Sequence, residues 1–163
     1  MTFEVVLLEH REPAMSERIA RLQREAYAVE ADWLGVKDFP PARITAADVA
    51  AIDGRVFAAV RDGELLGTVT LERSREDARL VGALTVTPAH HRQGIGRSLV
   101  AHLVHECGGR ELVVSTGVAN APAIALYRSF GFVEGTRRTV GAEPVEVVEL
   151  RRPAGPGTLP PAH

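Results

Sequence analysis

The run FEVVLLE at residues 3–9 is short, apolar and rich in Val and Leu, the pattern of a strand. The period then lengthens. Through PAMSERIARLQREAYAVEADWLG, Ile19, Leu22 and Ala26 recur at helical spacing, with Ser16 as the expected N-cap, Glu17 as a favourable first-turn charge and Gly35 as the stop. Pro40 and Pro41 exclude helix from DFPPAR, because proline has no amide donor and biases its predecessor to extended backbone. Thr45 is placed to cap a second, short helix in ITAADVAAI.

From Arg55 the pattern shortens to that of strands. RVFAAVRDGELLGTVTLER reads as two strands joined at Asp62-Gly63, a dipeptide suited to a tight hairpin. ARLVGALTVTP is a further strand, stopped by Pro88. GIGRSLVAHLVHECGG returns to helix, with Ile95, Leu99, Leu103 and Cys107 on one stripe and Gly108-Gly109 ending it. ELVVSTGV reads as a buried strand, and NAPAIALYRSFG as a helix capped by Asn120 with Pro122 in its first turn. FVEGTRRTV and PVEVVELRR are two last strands around Gly141. The order β-α-α-β-β-β-α-β-α-β-β predicts an α/β (α+β) sandwich of helices on a largely antiparallel sheet. Residues 1–152 are expected to form one domain, and the Pro/Gly-rich tail 153–163 to be disordered.

Composition narrows the function classes. The chain has 163 residues, 45% of them hydrophobic and 25% charged, an ordinary globular balance. A net charge of −2 argues against a protein held on nucleic acid by a global positive field. Cys107 stands alone, so no intramolecular disulfide can form and a reducing compartment is the simplest expectation. No stretch approaches the roughly 20 apolar residues of a membrane helix. The first apolar run is too short and too early for a leader peptide. Together these predict a soluble, cytoplasmic protein.

The segment AHHRQGIGRSLVAHL, residues 89–103, carries the first chemical signal. It places glycines and cations where a strand and loop feed a helix. First-turn amides have no partners within the helix, and the dipole there favours negative charge. Gly94 and Gly96 let an anion approach the backbone, and Arg92 and Arg97 can add charge-assisted bonds. A phosphate or pyrophosphate site is the physical suggestion. A tight turn that only solves a packing problem is the plainer alternative. A dinucleotide fingerprint would need a third glycine where Leu99 stands, and the G-K-[ST] of a P-loop is absent.

Two motifs in order carry a resemblance. HRQGIG resembles the R/Q-x-x-G-x-G/A signature of the GNAT superfamily of acetyl-CoA-dependent N-acetyltransferases, and NAPAIALYRSFGF resembles its downstream N-x-x-A-x-x-L-Y-x-x-x-G-F. The likeness spans roughly Arg55 to Arg151; His91 departs from the usual Arg or Gln. The resemblance implies a sheet of about seven strands, splayed after the fourth and flanked by about four helices. It implies that Arg92, Gln93, Gly94, Ile95, Gly96 and Arg97 cradle the pyrophosphate of coenzyme A. Leu84, Thr85 and Val86 would then pair their backbone with the pantetheine arm as with an added strand. Asn120 would contact the coenzyme while capping its helix. Tyr127 would act as general acid toward the coenzyme sulfur, although Tyr127 also has a plain reading as a packing residue beside Ala123 and Phe130.

The activity so implied is transfer of an acetyl group from acetyl-CoA to a primary amine of a small molecule or peptide. Transfer would be direct, in a ternary complex, since no activated nucleophile is evident. A coenzyme A-sensing module without catalysis is the alternative; a plain nucleotide-phosphate binder is weaker. The general base stays open. Some relatives carry Glu where Ser115 stands, and the remaining choices are Glu72, Glu30, Asp32 or a water chain to bulk. Trp33 and Phe39 are expected to line the acceptor cleft, with Glu25, Glu30 and Asp32 attracting a cationic amine. His102, His105 and Cys107 do not share one helix face, so no metal is expected there. No membrane or nucleic-acid partner is expected, and the terminal strands leave a homodimer open.

Overall fold

The computed structural model describes residues 2–73 and 78–155. Along them run β1 (Glu4–Leu8), α1 (Pro13–Leu34), a 3₁₀ turn at Pro40–Arg43, α2 (Ala46–Ala50), β2 (Gly54–Arg61), β3 (Glu64–Arg73) and β4 (Arg79–Val86). A second 3₁₀ turn at Pro88–His90 leads to α3 (Ile95–Glu106), β5 (Leu112–Gly117), α4 (Ala121–Ser129), β6 (Val133–Val140) and β7 (Val145–Arg152). The expected order of strands and helices is observed. Of the tail, residues 153–155 have neither helix nor strand, and Gly155 N–H donates to Gly109 O at 2.9 Å. Residues 156–163, where disorder was expected, lie outside the described residues.

Two local expectations are corrected. DFPPAR, expected to be non-helical, holds the 3₁₀ turn Pro40–Arg43, because its two prolines stand in the first positions, where a helix start leaves amides unpaired in any case. α1 starts at Pro13 rather than after Ser16, and its cap is Glu12, whose carboxylate accepts from Ala14 N at 3.1 Å and Met15 N at 2.9 Å. Proline at the first helical position presets φ and needs no amide partner, which moves the start upstream. Ser16 is buried instead, donating to His10 O at 2.6 Å. The other punctuation holds. Gly35 closes α1 in the left-handed region, and Thr45 forms a capping box with Asp48. Asp62 and Gly63 both take positive φ, 52° and 78°, as a tight hairpin requires.

The sheet order is β1-β2-β3-β4-β5-β7-β6. Every neighbouring pair is antiparallel except β4–β5, which is parallel and, among the described residues, in register at Arg79↔Leu112 and Leu80↔Val113 alone. Beyond that point the two strands diverge, and the sheet opens as a V. A bulge accompanies the divergence. Thr70 lies opposite Gly82 and Thr68 opposite Thr85, so Ala83 and Leu84 together face Val69. Ala83 takes φ 47°. An inserted residue bends its strand and leaves ladder groups unpaired, which turns the end of β4 away from β5.

Both faces of the sheet are covered. In β2, Val56 and Ala58 join Ile19, Leu22 and Val49 under α1 and α2, while Phe57 and Ala59 join Leu99, Leu103 and Val104 of α3. The alternation is the strand period of two, with each side chain set buried under a different helical layer. The stripe Ile95, Leu99, Leu103 and Cys107 is buried as predicted. Among the described residues, no helix is long and apolar enough to cross a membrane.

Candidate active site

The V leaves two cavities that share a wall. The first, about 480 Å³, lies between α1, the end of β4 and the N-termini of α3 and α4. Leu84, Thr85, Val86, Arg92, Gly94, Ile95, Gly96, Arg97 and Asn120 line it, so the fold brings together nine of the residues singled out from the sequence. Gln93 is exposed and lies off this wall. The N-cap of α3 is Gly94 at φ 77°, with no side-chain cap, and Arg92 is also left-handed at φ 62°. The first-turn amides of α3 therefore have no side chain of their own to satisfy them. That arrangement suits an anion. Two histidines shape the loop: His90 Nδ1 lies 2.6 Å from Thr87 Oγ1, and His91 Nε2 lies 3.1 Å from Val86 O. Arg97 is turned toward α4, donating to Ser129 Oγ at 3.2 Å with its guanidinium 5.0 Å from the Phe130 ring centroid.

The second cavity, about 430 Å³, fills the V itself. Its sides are Val81–Leu84 of β4 and Val114–Gly117 of β5, roofed by the connection from Asp38 to Pro41 and by the turn between β6 and β7. One carboxylate ties these two roof segments together: Glu143 Oε1 accepts from Lys37 N at 2.7 Å and Asp38 N at 2.9 Å. Tyr127 lines this cavity, buried, with its ring centroid 5.3 Å from that of Phe132. Burial pushes its phenol well above the ordinary range, and the nearby Tyr27 and Glu30 push it the same way. A phenol in that state keeps its proton at neutral pH and can donate it.

Among the described residues, five line both cavities: Tyr27, Glu30, Leu84, Asn120 and Ala123. Asn120 caps α4, its Oδ1 accepting from Ala123 N at 3.2 Å, and its Nδ2 donates to Glu30 Oε1 at 3.3 Å. Burial raises the Glu30 pKa, while the Asn120 hydrogen bond opposes the rise. Burial also drives the Tyr27 phenol upward, reinforced by Glu30 and Glu72. Sequence reading missed Tyr27. The available signal was its spacing, one turn beyond Gln23, which is buried and donates to Thr68 Oγ1 at 3.2 Å.

The remaining proposed groups sort by position. Ser115 faces the V cavity from β5. Glu72 is half-buried beside Gly82, where an added Cβ would sit 2.9 Å from its Oε2; burial raises its pKa, yet it lies on neither cavity wall. Glu25 and Asp32 are exposed and lie on neither wall. Phe39 lines the V cavity edge-on to Tyr27, as expected of a cleft residue. Trp33 does not: it stands at the first cavity, half-exposed, with its ring centroid 6.3 Å from that of His91. Glycine-loop and helix spacing could not reveal which cavity the end of α1 overhangs. His102 packs edge-on against Phe57 and lies 3.6 Å from Glu106, and among the described residues no three potential ligands converge on a metal site.

Comparison with known proteins agrees with this architecture. The acetyltransferase (GNAT) family profile matches residues 14–132. The chain is 28% identical over 129 residues to UPF0157 protein YqkA of Bacillus subtilis, covering 78% of this chain and 37% of that protein. It is 35% identical over 85 residues to the [ribosomal protein bS18]-alanine N-acetyltransferase of Escherichia coli, covering 50% of this chain and 57% of that one. The chain thus spans about a third to three-fifths of the length of these relatives. The fold is shared with yncA of Salmonella typhimurium, solved with its cofactor acetyl-CoA, at TM-score 0.72 and 17% identity over 100% of both chains. With the family profile spanning well over half of the residues, the two motifs and the splayed sheet have one explanation: the chain belongs to the acetyltransferase (GNAT) family.

Proposed function

We propose that the chain is an N-acetyltransferase that moves an acetyl group from acetyl-CoA to a primary amine of a small molecule or peptide, by direct transfer in a ternary complex. One observation carries this reading. The uncapped N-terminus of α3 opens into a cavity that meets a second cavity on the open side of the V, beside Leu84 of the diverged end of β4, Glu30 of α1 and the α4 cap Asn120. Two ligands entering from opposite sides of the V would meet there.

The residues present fit the coenzyme. The loop Arg92-Gln93-Gly94-Ile95-Gly96-Arg97 would hold the pyrophosphate through main-chain amides, and Leu84, Thr85 and Val86 would pair with the pantetheine arm along the bulged end of β4. Bound acetyl-CoA supplies an acyl thioester, whose carbonyl a backbone N–H can polarise. Tyr127 holds a proton over the V and donates it to the departing sulfur. Phe39 and Tyr27 exclude water and give the acceptor an apolar wall, while Glu30, Asp38 and Glu143 make the cleft favourable for a cation. Acceptors named for the relative from Escherichia coli, a ribosomal protein's alanine, and for the phosphinothricin N-acetyltransferase of Alcaligenes faecalis support the amine class. A lone thiol, Cys107, and coenzyme-dependent chemistry fit the cytoplasm.

The test is a panel of amines with acetyl-CoA, following free thiol. Binding is read separately from Trp33, the chain's one tryptophan, which borders the coenzyme cavity. The expected result is a change in Trp33 fluorescence on adding coenzyme A, and amine-dependent thiol release. Binding without release across the panel would favour a coenzyme sensor; an unresponsive Trp33 with no binding by calorimetry would remove the coenzyme site.

A further inference from the structure

We infer that Glu30 takes the proton from the acceptor amine, and that Asn120 is the residue that positions it. The inference rests on the acetyltransferase reading and adds to it the base that the strands do not supply.

Position selects Glu30. Among the described residues it is the one carboxylate on the walls of both cavities, at the junction where amine and thioester would meet. The other acids of the V cavity are engaged elsewhere: Asp38 pairs with Arg43, and Glu143 holds two backbone amides of the roof. α1 delivers Glu30 by helical spacing. Gln23, Tyr27, Glu30 and Leu34 lie at intervals of four, three and four, on the face that Gln23 packs against Thr68 of β3.

Orientation comes from Asn120. Its Oδ1 must accept from the first turn of α4, so its amide nitrogen is left to point at Glu30. One hydrogen bond leaves the carboxylate with acceptor capacity for an ammonium group.

A proton leaves the ammonium nitrogen for the Glu30 carboxylate. The freed nitrogen lone pair forms the C–N bond to the thioester carbonyl carbon. The C–S bond breaks, its electron pair leaves on sulfur, and Tyr127 protonates that sulfur. The second nitrogen proton, released as the amide forms, restores the Tyr127 phenol. Glu30 passes its proton to water. The sum is ammonium plus thioester giving amide, thiol and one proton.

The experiment is the pH dependence of kcat/KM for the acceptor, measured for the wild type and for Glu30→Gln, Glu30→Asp and Asn120→Asp. Facing Glu30 are Tyr27 on its own helix and Tyr127 on α4. Asp38 and Glu143 line the far wall of the V, and His90, His91, Arg92 and Arg97 line the coenzyme side. Only the unprotonated carboxylate accepts, so activity rises with pH along one limb. That limb stays in place between two acceptors of different basicity, which assigns it to the enzyme. In Glu30→Gln the limb disappears and kcat falls by about 10²–10³-fold, the usual worth of a positioned base. The Trp33 response to coenzyme is retained. Glu30→Asp keeps the limb with reduced kcat. Asn120→Asp preserves the helix cap but replaces a donor with a negative charge, so the Glu30 pKa rises further and the limb moves to higher pH. The added charge by itself raises the limb, so Asn120→Ser, which keeps a capping oxygen but adds no charge and removes the donor, is measured beside it: the limb also moves up where Asn120 positions Glu30, and an unmoved limb removes that role. Wild-type kcat and an unchanged limb in Glu30→Gln overturn the inference while leaving the acetyltransferase reading intact. Absence of thiol release by the wild type, with Trp33 still reporting coenzyme, overturns both.

Discussion

At the residue scale, Tyr127 and Tyr27 are alike in chemistry and differ in what they face. Both are phenols on helices, and both have their pKa raised mainly by burial. Tyr127 lines only the V cavity, whereas Tyr27 lines both. The motif made Tyr127 visible in the sequence; nothing marked Tyr27 except its place on the buried stripe of α1. Removing the Tyr127 hydroxyl tests the assignment with little change in volume. Tyr127→Phe should lower kcat by about 10²-fold, within the range of a general acid, while coenzyme affinity read from Trp33 stays near that of the wild type. Unchanged kcat would reduce Tyr127 to a packing residue on Phe132.

At the element scale, the start of α3 is set by conformation as much as by charge. Gly94 takes φ 77°, and a Cβ there would meet nothing within 4 Å, so backbone strain rather than crowding disfavours substitution. Gly94→Asp would add about 1–2 kcal/mol of left-handed strain and place a carboxylate where the diphosphate is proposed to sit. We expect coenzyme affinity to fall by about 100-fold or more, the equivalent of roughly 3 kcal/mol, with the melting temperature lowered modestly. Calorimetry with coenzyme A checks the first, and thermal unfolding the second. Retained affinity would move the anion site away from this loop. The strand before it was legible as ALTVTP, but its bulge was not. Ala83 and Leu84 are ordinary strand residues by composition, and only pairing against Val69 shows that two of them face one.

At the scale of the whole molecule, the V cavity is closed by contacts between distant segments. Glu143, in the turn between β6 and β7, holds the amides of Lys37 and Asp38 across 106 and 105 residues of sequence. Glu143→Ala should loosen that roof. The expected outcome is a higher KM for the acceptor with a smaller change in coenzyme affinity, and faster hydrogen exchange at Lys37 and Asp38. Unaltered exchange at both amides would show the roof is held by other contacts. Local patterning sufficed wherever short-range physics controls: strand and helix periods, the Thr45 and Asn120 caps, the Asp62-Gly63 hairpin, and the glycine loop ahead of α3. Those features depend on a few neighbouring dihedrals and their own hydrogen bonds, so they are written in consecutive residues. Ser16 lost its expected cap role for the same kind of reason, because Pro13 three residues upstream starts the helix first. Long-range packing settled which acid stands at the junction and where Trp33 and Glu143 point. Glu25, Glu30 and Asp32 are near neighbours in sequence with the same chemistry. A helix turning about 100° per residue sends them to different faces, and packing of α1 on the V leaves Glu30 alone facing both cavities.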